Sequence, residues 1–136
     1  MRILIVDDDA DIRRLLVQLL EHYRVKDIVE AKDGEQARAI LQSTPIHGMI
    51  VDQLMPKVDG LELVKEVRGG LGRPGLPVFV LSAVADSARV AAMVETGIDG
   101  YLLKPVNPLE NGRRLAAFVD LCRMFERQTQ GSTTAA

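Results

Sequence analysis

The sequence predicts an α/β domain: a parallel β-sheet with helices packed on both faces. Three observations point there. Short apolar runs at residues 3–6, 27–31, 48–51, 78–81 and 101–103 are mostly apolar at consecutive positions, as strands buried on both faces are. Amphipathic stretches lie between them, which gives five strand-then-helix units in series. The length of 136 residues suits one such domain and is short for two.

Taken in order, the first run leads into Asp7, Asp8 and Asp9, and Ile12, Leu15, Leu16, Leu19 and Leu20 then form one helical stripe. The second run, 27–31, is the weakest. Residues 33–42 read as a helix with Asp33 as N-cap. The third run ends at Asp52, and a third helix spans 59–68, with Asp59 as its cap and Gly60 as a residue of the helix start. Residues 69–75 are glycine-rich and read as a flexible loop. The fourth run ends in Ser82. The helix after it begins near Asp86, includes Val90, Met93 and Val94, and stops at Gly97. The fifth run ends in Lys104 and Pro105. The last helix begins near Pro108, a good first-turn residue, and carries Leu115, Phe118, Val119 and Cys122 on one stripe. Residues 128–136 are small, polar and unpatterned, so the domain is expected over 1–127, with 128–136 a flexible C-terminal tail or linker stub.

Composition excludes several classes. A 47% hydrophobic and 26% charged chain is an ordinary globular one, and a net charge of -2 gives no reason to expect direct binding to nucleic acid or an anionic membrane. A single cysteine, Cys122, forbids an internal disulfide and reads as a small buried helix residue. No apolar run could span a bilayer, and a strand opening within two residues leaves no room for a signal peptide; a cytoplasmic location is expected.

In a parallel sheet of this kind, functional groups gather beyond the carboxyl ends of the strands. Those ends carry Asp7, Asp8, Asp52, Ser82 and Lys104. Carboxylates at about 4 Å repel by on the order of 4 kcal/mol at an effective dielectric of about 20. A hard divalent cation with oxygen ligands offsets that repulsion, and Lys104 adds a fixed positive charge. Metal, ammonium and the Ser82 hydroxyl together suit a phosphoryl group in transfer, with the Asp52 carboxylate as the best-placed nucleophile.

Asp7 and Asp8 after a strand, Asp52 followed by Met55, Pro56, Asp59 and Gly60, the Leu81-Ser82-Ala83 strand end, and the segment from Tyr101 to Lys104 and Pro105 together resemble the response-regulator receiver domains of two-component signalling. The resemblance covers roughly residues 2–125. It implies a doubly wound, flavodoxin-like (βα)5 fold with strand order 2-1-3-4-5. It implies that Asp52 accepts the phosphoryl group, and that Asp8, Asp52 and the backbone carbonyl of Leu54 hold Mg2+ with Asp7 assisting. Mn2+ or Ca2+ are substitutes for the same oxygen site. Ser82 and Lys104 would contact the phosphoryl oxygens, Tyr101 would swing inward when Ser82 moves, and Pro105 would follow a cis peptide. The donor would be a histidine kinase or histidine phosphotransfer protein docking near Ile12, Leu15 and Pro105. The output would pass through the fourth helix, fifth strand and fifth helix to a separate partner or a phosphorylation-dependent homodimer. The chain would then be a switch rather than a metabolic enzyme.

Other acidic and basic residues have plainer readings: Asp9 caps a helix, and His22 and His47 have no ligand neighbours. Apolar Leu54 and Val84 stand where fast self-dephosphorylating relatives carry polar residues, so a long-lived phosphoryl state is expected. Packed charge further suggests that Asp52→Asn stabilises the metal-free fold. The rival reading is a haloacid-dehalogenase-type phosphohydrolase with Asp7 as nucleophile in an Asp7-Asp8-Asp9 motif. Asp11 stands where that motif expects threonine or valine, and no later acidic pair completes it.

Overall fold

A computed structural model of the chain describes residues 1–55, 57–83 and 87–134; Pro56, Val84 and Asp86, used above, lie outside them. Strands β1 (Arg2–Val6), β2 (Asp27–Ala31), β3 (Gly48–Asp52), β4 (Val78–Ala83) and β5 (Gly100–Lys104) alternate with helices α1 (Ala10–His22), α2 (Gly34–Ser43), α3 (Gly60–Arg68), α4 (Ser87–Thr96) and α5 (Pro108–Thr134). All strand pairs are parallel, in the order β2-β1-β3-β4-β5, as the resemblance implies.

Alternate residues of the central strands feed two separate cores. Ile3, Ile5, Ile50, Phe79 and Leu81 pack under Leu16 and Leu20 of α1 and Leu115, Phe118, Val119 and Cys122 of α5. Leu4, Val6, Met49, Val51, Val78 and Val80 pack under Ala37 and Leu41 of α2, Leu63, Val64 and Val67 of α3 and Met93 of α4. Burial on both faces is why the strands read as unbroken apolar runs. The β2 run is weaker because β2 is an edge strand and only Ala31 in it is buried.

Caps fix the helix starts. Asp9 accepts from the Asp11 and Ile12 amides, Asp33 from Gln36 and Asp59 from Glu62, which satisfies donors the first turn would leave open. Gly97, with φ of 98°, follows α4 as expected.

Helix α5 continues through residues 128–134, because elongating an existing helix is easy without a proline to stop it. One expectation needs correction. The glycine-rich loop after α3 is tied down by Arg68, whose guanidinium donates to the Pro74 and Leu76 carbonyls at 2.7 Å each. Val94 is 59% exposed and lies off the buried face of α4 that Met93 occupies.

One buried polar residue interrupts the α5 core stripe. Asn111, 1% exposed, grips edge strand β5 just before Lys104: Leu103 N–H donates to Asn111 Oδ1 at 2.9 Å, and Asn111 Nδ2 donates to the Leu103 carbonyl at 3.2 Å. Replacing it strands both backbone groups. Asn111→Leu is expected to lower unfolding free energy by about 2–3 kcal/mol, read as a lower urea midpoint; an unchanged midpoint would contradict the clamp.

Candidate functional site

The sheet register brings the predicted residues to one edge. Val6 pairs with Val51, Asp52 with Leu81, Ser82 with Leu103 and Ala83 with Lys104, so the residues ending these strands share one rim. The rim lies beside β1, where the helices after β1 and β3 pass to opposite faces of the sheet.

Asp7 is fully buried. Its Oδ1 accepts from the Asp9 amide at 2.9 Å, while Oδ2 has no hydrogen-bond partner among the described residues. Its backbone carbonyl accepts from Arg13 Nη1 at 2.6 Å, which fixes the turn into α1. Asp52 is 4% exposed; Lys104 Nζ stands 2.9 Å from its Oδ2, and Leu54 N–H reaches its Oδ1 at 3.3 Å. The same ammonium is 3.7 Å from Asp7 Oδ2. Asp8 is exposed, yet one carboxylate oxygen each from Asp7, Asp8 and Asp52 lies within 4.8 Å of the others. The peptide between Lys104 and Pro105 is cis.

The electrostatics follow from burial and charge. Burial, helped by the Asp52 and Asp8 charges, pushes the Asp7 carboxyl up to about 6, against the Asp9 hydrogen bond and Lys104. Burial alone would lower the Lys104 ammonium, but pairing with Asp52, then the Asp7 and Asp8 charges, outweighs it and holds the ammonium above its ordinary value. Three carboxylates face one ammonium, and the oxygen left without a hydrogen bond among the described residues belongs to Asp7. That donor set fits a hard divalent cation: oxygen ligands, surplus negative charge and a buried lone pair aimed into the cluster.

Ser82, 1% exposed, ends β4 as expected. Its Oγ donates to Gln53 Oε1 at 3.2 Å, with the Ala83 carbonyl at 3.3 Å. Tyr101 lies on β5 opposite Val80 and is half-buried. Its hydroxyl accepts from Arg114 Nη2 at 3.2 Å, and the Arg114 guanidinium carbon sits 4.4 Å from its ring centroid. Leu54 follows the strand with its side chain 62% exposed. His47 takes the Arg2 amide on Nδ1 at the far end of the sheet, away from the cluster.

Sequence reasoning missed two contributors. Gln53 gave no signal beyond following Asp52. Gly60, read only as a helix start, is needed there: a Cβ would stand 2.3 Å from the Asp52 carbonyl oxygen, and its N–H donates to the Gln53 carbonyl at 3.2 Å. The start of α3 is thus packed against the backbone of the carboxylate it follows.

The stability expectation attached to Asp52 moves to Asp7, because Asp52 has Lys104 and Asp7 Oδ2 has no donor. An acid whose folded pKa lies above its unfolded one stabilises below the unfolded value and loses that contribution as pH rises through the folded one. For Asp7 the window runs from 3.8 to about 6. In chelator, Asp7→Asn keeps the acceptor for the Asp9 amide and should gain on wild type by several degrees in Tm between about pH 4 and 7. A Tm difference independent of pH would contradict this assignment.

Comparison with known proteins agrees with the geometry. A family model described as "Response regulator receiver domain" matches residues 3–115. The chain is 39% identical over 125 residues to response regulator GtcR of Aneurinibacillus migulanus, covering 91% of this chain and 49% of GtcR. It is 31% identical over 109 residues to a chemotaxis protein CheY homolog of Campylobacter jejuni, covering 79% of this chain and 84% of that protein. The chain thus spans about half the length of some curated relatives and most of others. A response regulator receiver protein from Pseudomonas putida superposes with a TM-score of 0.75 at 31% identity, covering 88% of this chain and 94% of that one. By strand order, by the acidic rim with its lysine, and by a match across most of its length, this chain belongs to the response regulator receiver domain family of two-component signalling.

Proposed function

We propose that Asp52 is the phosphoacceptor of this receiver, working with a divalent cation held by Asp8, Asp52 and the Leu54 carbonyl and oriented by Asp7. The observation that carries the reading is the Asp7–Asp8–Asp52 cluster, in which the buried Asp7 Oδ2 has no hydrogen-bond partner among the described residues while Lys104 pairs more closely with Asp52. In the reaction, an Asp52 oxygen bonds to phosphorus as the bond from phosphorus to the donor's histidine nitrogen breaks; the ring, protonated on its other nitrogen, keeps that electron pair and leaves as neutral imidazole, and Asp52 becomes an aspartyl phosphate. Mg2+, when bound, neutralises charge on the phosphoryl oxygens. Lys104 stays beside Asp52 and supplies the second positive charge, and Ser82 supplies a hydroxyl donor.

The donor is a histidine kinase or phosphotransfer protein, docking where Ile12 and Leu15 of α1 are only partly covered and Pro105 is exposed. The output face is α4-β5-α5, where Tyr101 and Arg114 meet and Leu109 is 98% exposed. It would engage a separate partner or a second copy of the domain. The functional unit is residues 1–127, and the reading implies a cytoplasmic setting. Among the described residues no helix is long and apolar enough to cross a membrane. The exposed apolar Leu54 offers no polar group to orient an attacking water, which supports a slowly decaying phosphoryl state.

The phosphohydrolase alternative gains no support. Its motif needs the third aspartate in the site, whereas the Asp9 carboxylate caps α1.

Intact-mass analysis after incubation with acetyl phosphate tests the reading. Wild type should gain one phosphoryl adduct only when Mg2+ is present, Asp52→Asn none, and the adduct should decay slowly after the donor is removed. An adduct that survives Asp52→Asn would overturn the assignment.

A further inference from the structure

The Ser82 hydroxyl has one proton to donate. Among the described residues two acceptors lie within its reach, Gln53 Oε1 at 3.2 Å and the Ala83 carbonyl at 3.3 Å. Ser82 and Gln53 are 1% and 7% exposed, so solvent offers little competition for the bond. Gln53 is the residue after Asp52, and its backbone is fixed on both sides: its N–H donates to the Leu81 carbonyl, and its own carbonyl accepts from Gly60 N–H, both at 3.2 Å. Its side chain borders a cavity of about 190 Å³ lined also by Leu54, Asp59, Leu61, Ala92 and Met93.

We infer that Gln53 is a latch on the switch hydroxyl: its amide oxygen holds Ser82 in the resting position and competes with an incoming phosphoryl oxygen for the same proton. The inference rests on Asp52 being the phosphoacceptor. When Ser82 turns to the phosphoryl group, Gln53 Oε1 loses its donor, and a buried acceptor without a partner is costly. That cost opposes switching. The adjoining cavity gives the released amide a place to swing, which keeps the cost surmountable. Gln53 is therefore a positioning residue, acting through Ser82 and not on the phosphoryl group. An apolar residue in its place would leave Ser82, among the described residues, only the neighbouring carbonyl and would make the domain easier to switch.

The test is calorimetric titration with beryllofluoride and Mg2+, a stable phosphoryl mimic, on wild type, Gln53→Met, Ser82→Ala and the double variant. Gln53→Met should bind roughly three- to tenfold tighter than wild type, the worth of one ordinary hydrogen bond. The gain should vanish in the Ser82→Ala background, where there is no proton to compete for. Equal binding by Gln53→Met and wild type, or the same gain without the serine hydroxyl, would overturn the latch. A wild type that does not bind the mimic would overturn the phosphoacceptor reading itself, and the latch with it, so the two failures are distinct. If Gln53→Met does not fold, the Gln53 side-chain amide resonances of the wild type carry the test. The mimic should move them to the positions they already hold in Ser82→Ala, and unmoved resonances would overturn the latch.

Discussion

Three carboxylates converge on one lysine at the carboxyl edge of the sheet, and the surrounding structure is arranged around that unbalanced charge. Asp7 and Asp52 are both buried, and one oxygen each from these and from Asp8 lies within 4.8 Å of the others. Lys104 balances one of them directly at 2.9 Å. Backbone hydrogen bonds hold two of the three: the Asp9 amide on Asp7 and the Leu54 amide on Asp52. What is left over is a buried oxygen of Asp7 with no hydrogen bond among the described residues and a carboxyl raised by burial to about 6. Stability alone does not favour such a residue, and its oxygen-donor surroundings suit the proposed cation.

The elements that carry this charge are each anchored from behind. Arg13 ties the Asp7 carbonyl into the turn before α1. Gly60 lets α3 start against the Asp52 backbone with no Cβ between them. Asn111 clamps Leu103 immediately before Lys104, so an edge strand otherwise free on one side holds its lysine in place. Ser82, by contrast, is held only by neutral acceptors among the described residues, Gln53 Oε1 and the Ala83 carbonyl. The charged groups are fixed and the hydroxyl is the lightly tethered member, which suits the switch role proposed for Ser82. Its movement would be felt at β5, where the Arg114 contact places Tyr101 against α5.

Much of this was legible in the sequence. The β1 and β3 runs are apolar at successive positions because Ile3 and Ile5 feed one core while Leu4 and Val6 feed the other, which also revealed a parallel sheet. Residues ending those runs became the site once the strands were aligned. Buried polar contacts were less legible, because they depend on which side chains face each other across elements. Asn111 left a trace, as a polar residue one helical repeat before Leu115 on an apolar stripe. Gln53 left none, since nothing in the local pattern tells which way a residue just past a strand end will turn. Residues 128–134 lack a stripe, yet the absence of a packing face does not stop a helix already formed.

The central claim is that a divalent cation completes the acidic rim, and the most direct measurement is the Tm of the wild type against Mg2+ concentration at neutral pH, with Asp8→Asn alongside. Binding to the folded state alone raises stability as the logarithm of free ligand once the site fills. Wild type should therefore gain several degrees as Mg2+ rises to roughly 10 mM, and Asp8→Asn should stay flat over the same range. A wild-type Tm that ignores Mg2+ would mean that the partnerless oxygen of Asp7 answers to something other than a metal.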